Sequence, residues 1–136
     1  MNFSSALQFF IELAKTQAVV ARRFDCGLGG LGFSEFVILH HLQQAKGEKM
    51  RRIDLAEKIG LTASGVTRLL APMEKIGLVK RESNELDARV SYVAIAPGGK
   101  RKLTEALEDA EDLSLQMMPS IASLIELGCT LPQDNK

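Results

Sequence analysis

The sequence predicts a mainly α-helical fold with one small β-hairpin, an α+β arrangement. Apolar residues recur at helical spacing through most of the 136 residues. Only segments 78–82 and 90–95 are β-rich and alternating, and the polar stretch 83–89 between them favours a turn. Hydrophobic residues make up 46% of the chain, with one Tyr and no Trp. The predicted core is therefore mostly aliphatic.

The N-terminal part of the chain predicts a long helix and a hinge. Residues 4–25 place apolar side chains at i, i+3 and i+4, and Ser4 or Ser5 is suited to cap the start. The run 27–32 then has four glycines in six residues, which a helix cannot sustain. A second helix is expected to start at Ser34, as its N-cap, and to end at Lys46-Gly47.

The middle of the chain predicts a short helix, a tight turn and a longer helix. Residues 50–52 are a candidate short strand, and 53–60 is an amphipathic helix that Gly60 ends. Thr62 is expected to cap a helix reaching Ile76, and Pro72 inside it should either bend or break that helix. The expected buried stripe of the longer helix is Val66, Leu69, Leu70, Met73 and Ile76.

The C-terminal part predicts a break and two more helices. Pro97-Gly98-Gly99 is expected to interrupt the chain before a helix over 100–118, and Pro119 precedes a last helix with a loose tail from Thr130. The expected buried side of the first of these helices is Leu103, Leu107, Ala110, Leu113 and Met117. The first helix, to which Phe3, Leu7 and Ile11 add apolar surface, and the last helices are apolar over more than one face. Such helices need a partner, and a two-fold homodimer is the commonest one.

Charge is distributed unevenly along the chain. The net charge is zero, yet residues 46–102 hold 13 Lys and Arg against 7 Asp and Glu, and the remainder holds 4 against 10. A basic middle between acidic ends is expected if only the middle touches phosphate.

The order of elements in that basic middle is typical of a winged helix-turn-helix. Its second helix must have one apolar face to anchor it and one polar face to enter a DNA major groove. Residues 62–76 satisfy both requirements, and the polar face carries Ser64, Thr67, Arg68, Ala71 and Lys75. In the hairpin, or wing, Arg89 beside Asp87 is predicted to reach a minor groove. Lys80, Arg81 and Lys49 are candidate phosphate contacts, whereas Arg51 and Arg52 are expected on a solvated rim.

Residues 31–103, about half of the chain, resemble the MarR family of bacterial winged-helix regulators. The matching segments are LGFSEFVILHHL, IDLAEKIGLTASGVTRLLAPMEKIGLVKRE and the wing signature DARVSYVAIAPGGKRKL. The resemblance implies a homodimer formed by the first and last helices that binds a pseudo-palindromic duplex. It also implies release by a small, often aromatic, ligand or by thiol oxidation. The residues matching Ser64, Thr67 and Arg68 would face the major groove, and Arg89 would lie in the wing.

These observations divide the chain into three parts and define its expected function. The parts are a dimerisation helix and hinge (1–33), a winged helix-turn-helix DNA-binding domain (34–97), and dimerisation helices with a loose tail (98–136). The function is that of a sequence-specific transcriptional regulator, interpreted as a dimeric repressor released by a small ligand. The alternatives are a winged-helix protein-interaction module that does not bind DNA and a thiol redox sensor.

The remaining polar and sulfur groups predict no chemistry of their own. No catalytic motif, cofactor or metal is expected, because His40 and His41 point about 100° apart on a helix and no CxxC pair exists. Cys26 is the candidate for the sensor thiol. An effector pocket is placed between the dimer helices and the DNA-binding lobe, lined by Phe24, Leu31, Phe36 and His40. No apolar run approaches the ~18 residues that span a bilayer, and a cytoplasmic protein is expected.

Overall fold

A computed structural model describes residues 4–84, 86–87 and 89–130. It confirms a mainly α-helical fold with a small antiparallel sheet. The elements in order are α1 (Ser5–Gly27), α2 (Phe33–Gln44), a 3₁₀ turn (Lys46–Glu48), β1 (Lys49–Met50), α3 (Arg52–Ile59), α4 (Ala63–Lys75), β2 (Val79–Ser83), β3 (Ser91–Ile95) and α5 (Pro97–Thr130). The predicted Phe3 contribution and nearly all of the predicted loose tail, residues 131–136, lie outside the described residues.

The hydrophobic core lies around α2. Ile38, Leu39 and Leu42 of this helix are fully buried, and they belong to one cluster with Leu55 of α3 and Leu70 of α4. Burying each such side chain stabilises the fold by about 1.5–3 kcal/mol relative to leaving it in water. The helix pair α3 and α4 is therefore held against α2 by aliphatic packing, which fixes the outward face of α4.

The helix starts show which capping predictions were correct. Ser4 caps α1, because its Oγ accepts a hydrogen bond from the Leu7 N–H at 3.2 Å. The cap at Ser34 was wrong, since α2 already begins at Phe33. Two carboxylates satisfy its first N–H groups: Gly32 donates to Glu35 Oε1 at 2.8 Å and Phe33 donates to Asp25 Oδ1 at 2.7 Å. Acidic groups are stabilising at a helix N-terminus, which the Ser34 interpretation overlooked.

The C-terminal helix differs most from the sequence prediction. The expected break at residues 97–99 and the division at Pro119 were both wrong, because α5 is continuous. Pro97 occupies the first helical position, where a missing N–H costs nothing. Gly99 is needed for close packing, since a Cβ there would overlap the Leu78 carbonyl oxygen. The buried side also shifts: Leu107 is half exposed and Ala106 is buried instead.

Smaller corrections concern the strands and α4. The predicted strand over 50–52 is confined to β1, because Arg52 already begins α3. The helix α4 continues through Pro72, so the alternative of a break there was wrong. Ile76 is 67% exposed and does not join the buried stripe. The sheet order is β1-β3-β2, and Val93 of the central strand pairs with Met50 of β1 and Arg81 of β2. The hairpin of β2 and β3, the wing, lies beside α4.

Candidate nucleic-acid interface

The helix α4 has one buried and one exposed face. Thr62 caps it, since its Oγ1 accepts a hydrogen bond from the Gly65 N–H at 3.1 Å. Val66, Leu70 and Met73 anchor the inner face in the core. The opposite face carries small polar, small apolar and basic residues, all exposed: Ser64, Thr67, Arg68, Ala71 and Lys75. The predicted recognition residues of this helix therefore share one accessible surface.

The cations on the exposed face of α4 are not neutralised within the described parts of the chain. Arg68 and Lys75 have no carboxylate within 4.0 Å there. Their charges remain available to an external anion such as a phosphate, or to base edges.

Arg52 joins this face, although sequence reasoning assigned it to a solvated rim. Its Nη1 donates a hydrogen bond to Thr67 Oγ1 at 3.1 Å, and the Thr67 hydroxyl itself donates to the Ala63 carbonyl at 3.0 Å. Its neighbour Arg51 turns away and pairs with Asp54 at 3.0 Å. The two arginines are 15 and 16 residues before Thr67, so no short-range signal distinguishes them. Only the packing of α3 on α4 does so.

The wing holds Arg89 through Asp87. The carboxylate accepts the Arg89 backbone N–H at 3.0 Å, Nε at 3.1 Å and Nη2 at 3.3 Å. These hydrogen bonds from the side chain and then the backbone of Arg89 lower the pKa of Asp87 below its ordinary value. The Arg89 side chain is nevertheless 91% exposed. The structure thus brings together the two residues predicted for the wing and leaves the guanidinium free to meet another surface.

The other predicted phosphate contacts are paired within the protein. Lys80 and Lys49 lie 3.8 and 3.4 Å from Glu82, and Lys49 also lies 5.1 Å from the centre of the Tyr92 ring. Arg81 lies 3.4 Å from Glu74 of α4. All of these groups are at least one-third exposed, so the pairs are weak and exchangeable.

The four residues predicted for an effector pocket differ in their burial. Phe24 and Leu31 are buried in the core, and the Phe24 ring stacks on Phe33 with centroids 4.2 Å apart. Phe36 is half-buried and His40 is exposed. A cavity of about 400 Å³ lies nearby, between α1, α2 and the α3–α4 turn. It is lined by Gln17, Val20, Ala21, Phe33, Ser34, Val37, Lys58, Ile59 and Leu61.

The histidines and cysteines add little to this interface. The pKa of His41 is lowered by burial and by the neighbouring charges of His40 and Lys58. Within residues 4–84, 86–87 and 89–130, no cluster of three or more metal-ligating side chains is found. Cys26 and Cys129 are both exposed. No helix in the same described ranges is long and apolar enough to cross a membrane.

The part of the chain from α2 to the first residue of β3 matches a known family. Residues 33–91 match the model of the MarR family. This segment, from α2 to the start of β3, is therefore similar to the MarR family. Solved structures similar to this chain are transcription regulators, and two of them are in complex with DNA, which supports a DNA-binding regulator.

Individual transcription regulators extend the likeness beyond this segment. An uncharacterized HTH-type transcriptional regulator, YdgJ from Bacillus subtilis (strain 168), is 22% identical over 88% of this chain and 71% of its own length. A mutant MarR from E. coli complexed with operator DNA has a TM-score of 0.77 at 18% identity, over 93% of this chain and 96% of its own. An organohalide-sensing transcriptional regulator in its 2,4-dichlorophenol-bound form has a TM-score of 0.79 at 21% identity, over 95% of this chain and 78% of its own. These structures share the fold, including the helices outside residues 33–91.

Proposed function

We propose that this protein is a dimeric MarR-family repressor that binds a pseudo-palindromic duplex with α4 in the major groove. One observation carries the proposal. The face of α4 opposite Val66, Leu70 and Met73 is exposed and carries mainly polar and basic residues. A major groove admits a helix of this kind, and its donor and acceptor pattern distinguishes all four base pairs. Ser64, Thr67 and Arg68 are the residues we place against the bases.

The wing supplies a second contact in this proposal. Arg89 is 91% exposed, and its Asp87 partner holds the guanidinium in one orientation. A preorganised arginine suits the negative potential of a narrow minor groove. The cations of the neighbouring strands, Lys80 and Arg81, would contact phosphates and exchange their intramolecular carboxylates for the backbone of the duplex.

Exposed apolar surface on α1 and α5 supports the dimer. These two helices pack on each other, and Arg23 Nη2 donates to Gln116 Oε1 at 3.3 Å between them. Large apolar side chains remain exposed on both helices: Leu7, Phe10, Ile11, Leu13, Val19, Leu107, Leu115, Met118 and Ile125. Exposed apolar side chains in this number support an interface on these helices. A two-fold partner that covers it would place two α4 helices on one duplex.

A small effector would act through the cavity beside the DNA-binding domain. The cavity is lined by the apolar Val20, Phe33 and Val37 together with the cation Lys58. This lining suits a small aromatic molecule with an acidic group. The cavity contacts α1 and also the turn that leads into α4, so a bound ligand could alter the position of α4 relative to the dimer helices. The proposal also includes that the protein represses transcription and that it is located in the cytoplasm.

The proposal is tested with duplexes that the wild-type protein selects from a randomised pool. Arg68→Ala and Arg89→Ala should each weaken binding by about tenfold or more, as expected for the loss of a charged groove contact. Arg22→Ala, which removes an exposed charge from α1, is the matched control and should bind as the wild type does. Unchanged affinity in both groove variants would refute DNA reading by α4 and the wing and would favour a protein-interaction module.

A further inference from the structure

Arg52 is the first residue of α3, but its side chain lies on the neighbouring helix. The guanidinium reaches the middle of the exposed face of α4, where Nη1 donates to Thr67 Oγ1 at 3.1 Å. Thr67 is fixed in turn, because its hydroxyl proton is donated to the Ala63 carbonyl. The Thr67 oxygen is therefore the acceptor, and Arg52 is its donor.

This arrangement leaves most of the Arg52 guanidinium unused. Within the ranges that the structure describes, no carboxylate lies within 4.0 Å of it, whereas Arg51, Arg81 and Arg89 each have one. A guanidinium presents several N–H donors in a rigid plane, and a single neutral hydroxyl engages one of them. The full positive charge and the remaining donors of Arg52 are thus presented beside Thr67.

We propose that Arg52 is a specificity-determining residue, which enters the major groove together with α4 and reads a base edge as a unit with Thr67. The proposal rests on the DNA-binding function proposed above. A planar guanidinium is suited to bidentate hydrogen bonding with guanine O6 and N7. Anchoring to Thr67 lowers the conformational freedom that Arg52 must lose on binding, since one end of the contact is already formed in the free protein.

Three variants test this assignment on the duplex selected by the wild type and on copies of it with single base-pair changes. Arg52→Ala removes the group, and Arg52→Lys keeps the charge but not the planar fork. Arg51→Ala is the matched control, because it removes the same residue type one position earlier in the chain. Thermal unfolding of each variant is measured alongside, so that affinity is compared between folded proteins.

We expect Arg52→Ala to lose about tenfold or more in affinity for the selected duplex, which corresponds to one lost bidentate contact. It should also lose discrimination at one base pair per half-site. Arg52→Lys should lose the same discrimination, and Arg51→Ala should keep both affinity and discrimination. Loss of affinity without loss of discrimination in Arg52→Ala would show that only a phosphate is contacted and would overturn the assignment.

The failure of this inference is distinguishable from failure of the proposed function. Suppose that Arg68→Ala abolishes selective binding while Arg52→Ala and Arg51→Ala both keep the affinity and discrimination of the wild type. DNA reading by α4 then stands, and the role of Arg52 is refuted. If the wild type selects no duplex from the pool, the proposed function and the inference about Arg52 fail together.

Discussion

The Asp87 carboxylate accepts three hydrogen bonds from Arg89, one from the backbone and two from the guanidinium. The two residues lie at the tip side of the wing, and the arginine side chain stays almost fully exposed. Asp87 therefore acts as a positioning residue in the proposed interface: it orients a cation that would itself contact the minor groove.

This relationship predicts the effect of removing the carboxylate. Asp87→Ala should weaken binding to the selected duplex severalfold, because Arg89 must then be ordered on binding. Asp87→Asn keeps one acceptor and should show a smaller loss, measured by fluorescence anisotropy at fixed salt. If Asp87→Ala bound as tightly as the wild type, preorganisation of Arg89 would be excluded.

The pKa of Asp87 determines the pH at which the ion pair between Asp87 and Arg89 is lost. Hydrogen bonds from Arg89 lower this pKa below its ordinary value. The contribution of the pair is therefore present above the unfolded-state pKa and is lost only as the pH falls through the lowered folded-state value. The pair is intact throughout the neutral range.

The cap of α4 gives a prediction about stability. Thr62→Ala removes the acceptor of the Gly65 N–H and should lower the free energy of unfolding by about 1 kcal/mol. Thr62→Ser retains the hydroxyl and should restore most of the loss. Urea denaturation of the three proteins measures the difference. A Thr62→Ala variant as stable as the wild type would mean that water replaces the cap.

Dimerisation is predicted to depend on the exposed apolar side chains of α1 and α5. Phe10 is 62% exposed and Leu115 is 74% exposed. Phe10→Asp or Leu115→Asp should weaken self-association by about tenfold or more, since an unpaired charge would be buried at the interface. Leu86→Asp places the same charge at the wing tip, where Leu86 is 97% exposed, and should leave self-association unchanged.

Sedimentation velocity over a range of protein concentrations distinguishes these variants. Phe10→Asp and Leu115→Asp should sediment as monomers where the wild type is a dimer. A wild-type protein that is monomeric at all concentrations would refute the dimer directly.

His41 predicts a pH dependence of stability. Burial, His40 and Lys58 lower its pKa below the ordinary 6.5. Well above pH 6.5 the His41 imidazole is neutral in both the folded and the unfolded state, so its titration does not lower the free energy of unfolding there. As the pH falls below 6.5, the unfolded state takes up the proton first and stability decreases. Urea denaturation between about pH 8 and pH 5 should show this decrease, and His41→Gln should reduce it. An unchanged slope in His41→Gln would assign the dependence to other groups.

Local signals explain why much of α3 and α4 was predictable. Gly60 ends α3 in the left-handed conformation, with φ of 73°, and Thr62 caps α4 as expected. Such signals depend on neighbouring residues only, so they can be found in the sequence. The wing pair of Asp87 and Arg89 is also local, because the two residues are separated by one position.

Features that depend on tertiary packing were not predictable. Pro119 is unfavourable inside an isolated helix by about 3 kcal/mol, yet α5 continues through it. The contact between Arg52 and Thr67 depends on the angle between α3 and α4. The burial of Phe24 and Leu31 was unpredictable for a related reason: their apolar side chains suit a cavity wall and a core equally, and the fold packs them in its core.

The most direct test of the account is the salt dependence of wild-type binding to the duplex it selects, compared with a scrambled duplex of equal length. The account predicts that affinity for both falls steeply with salt, because several cations displace counterions from phosphates. The selected duplex should remain about 10³-fold or more tighter than the scrambled one, with two protomers bound. Equal affinity for the two duplexes at every salt concentration would contradict sequence reading by α4.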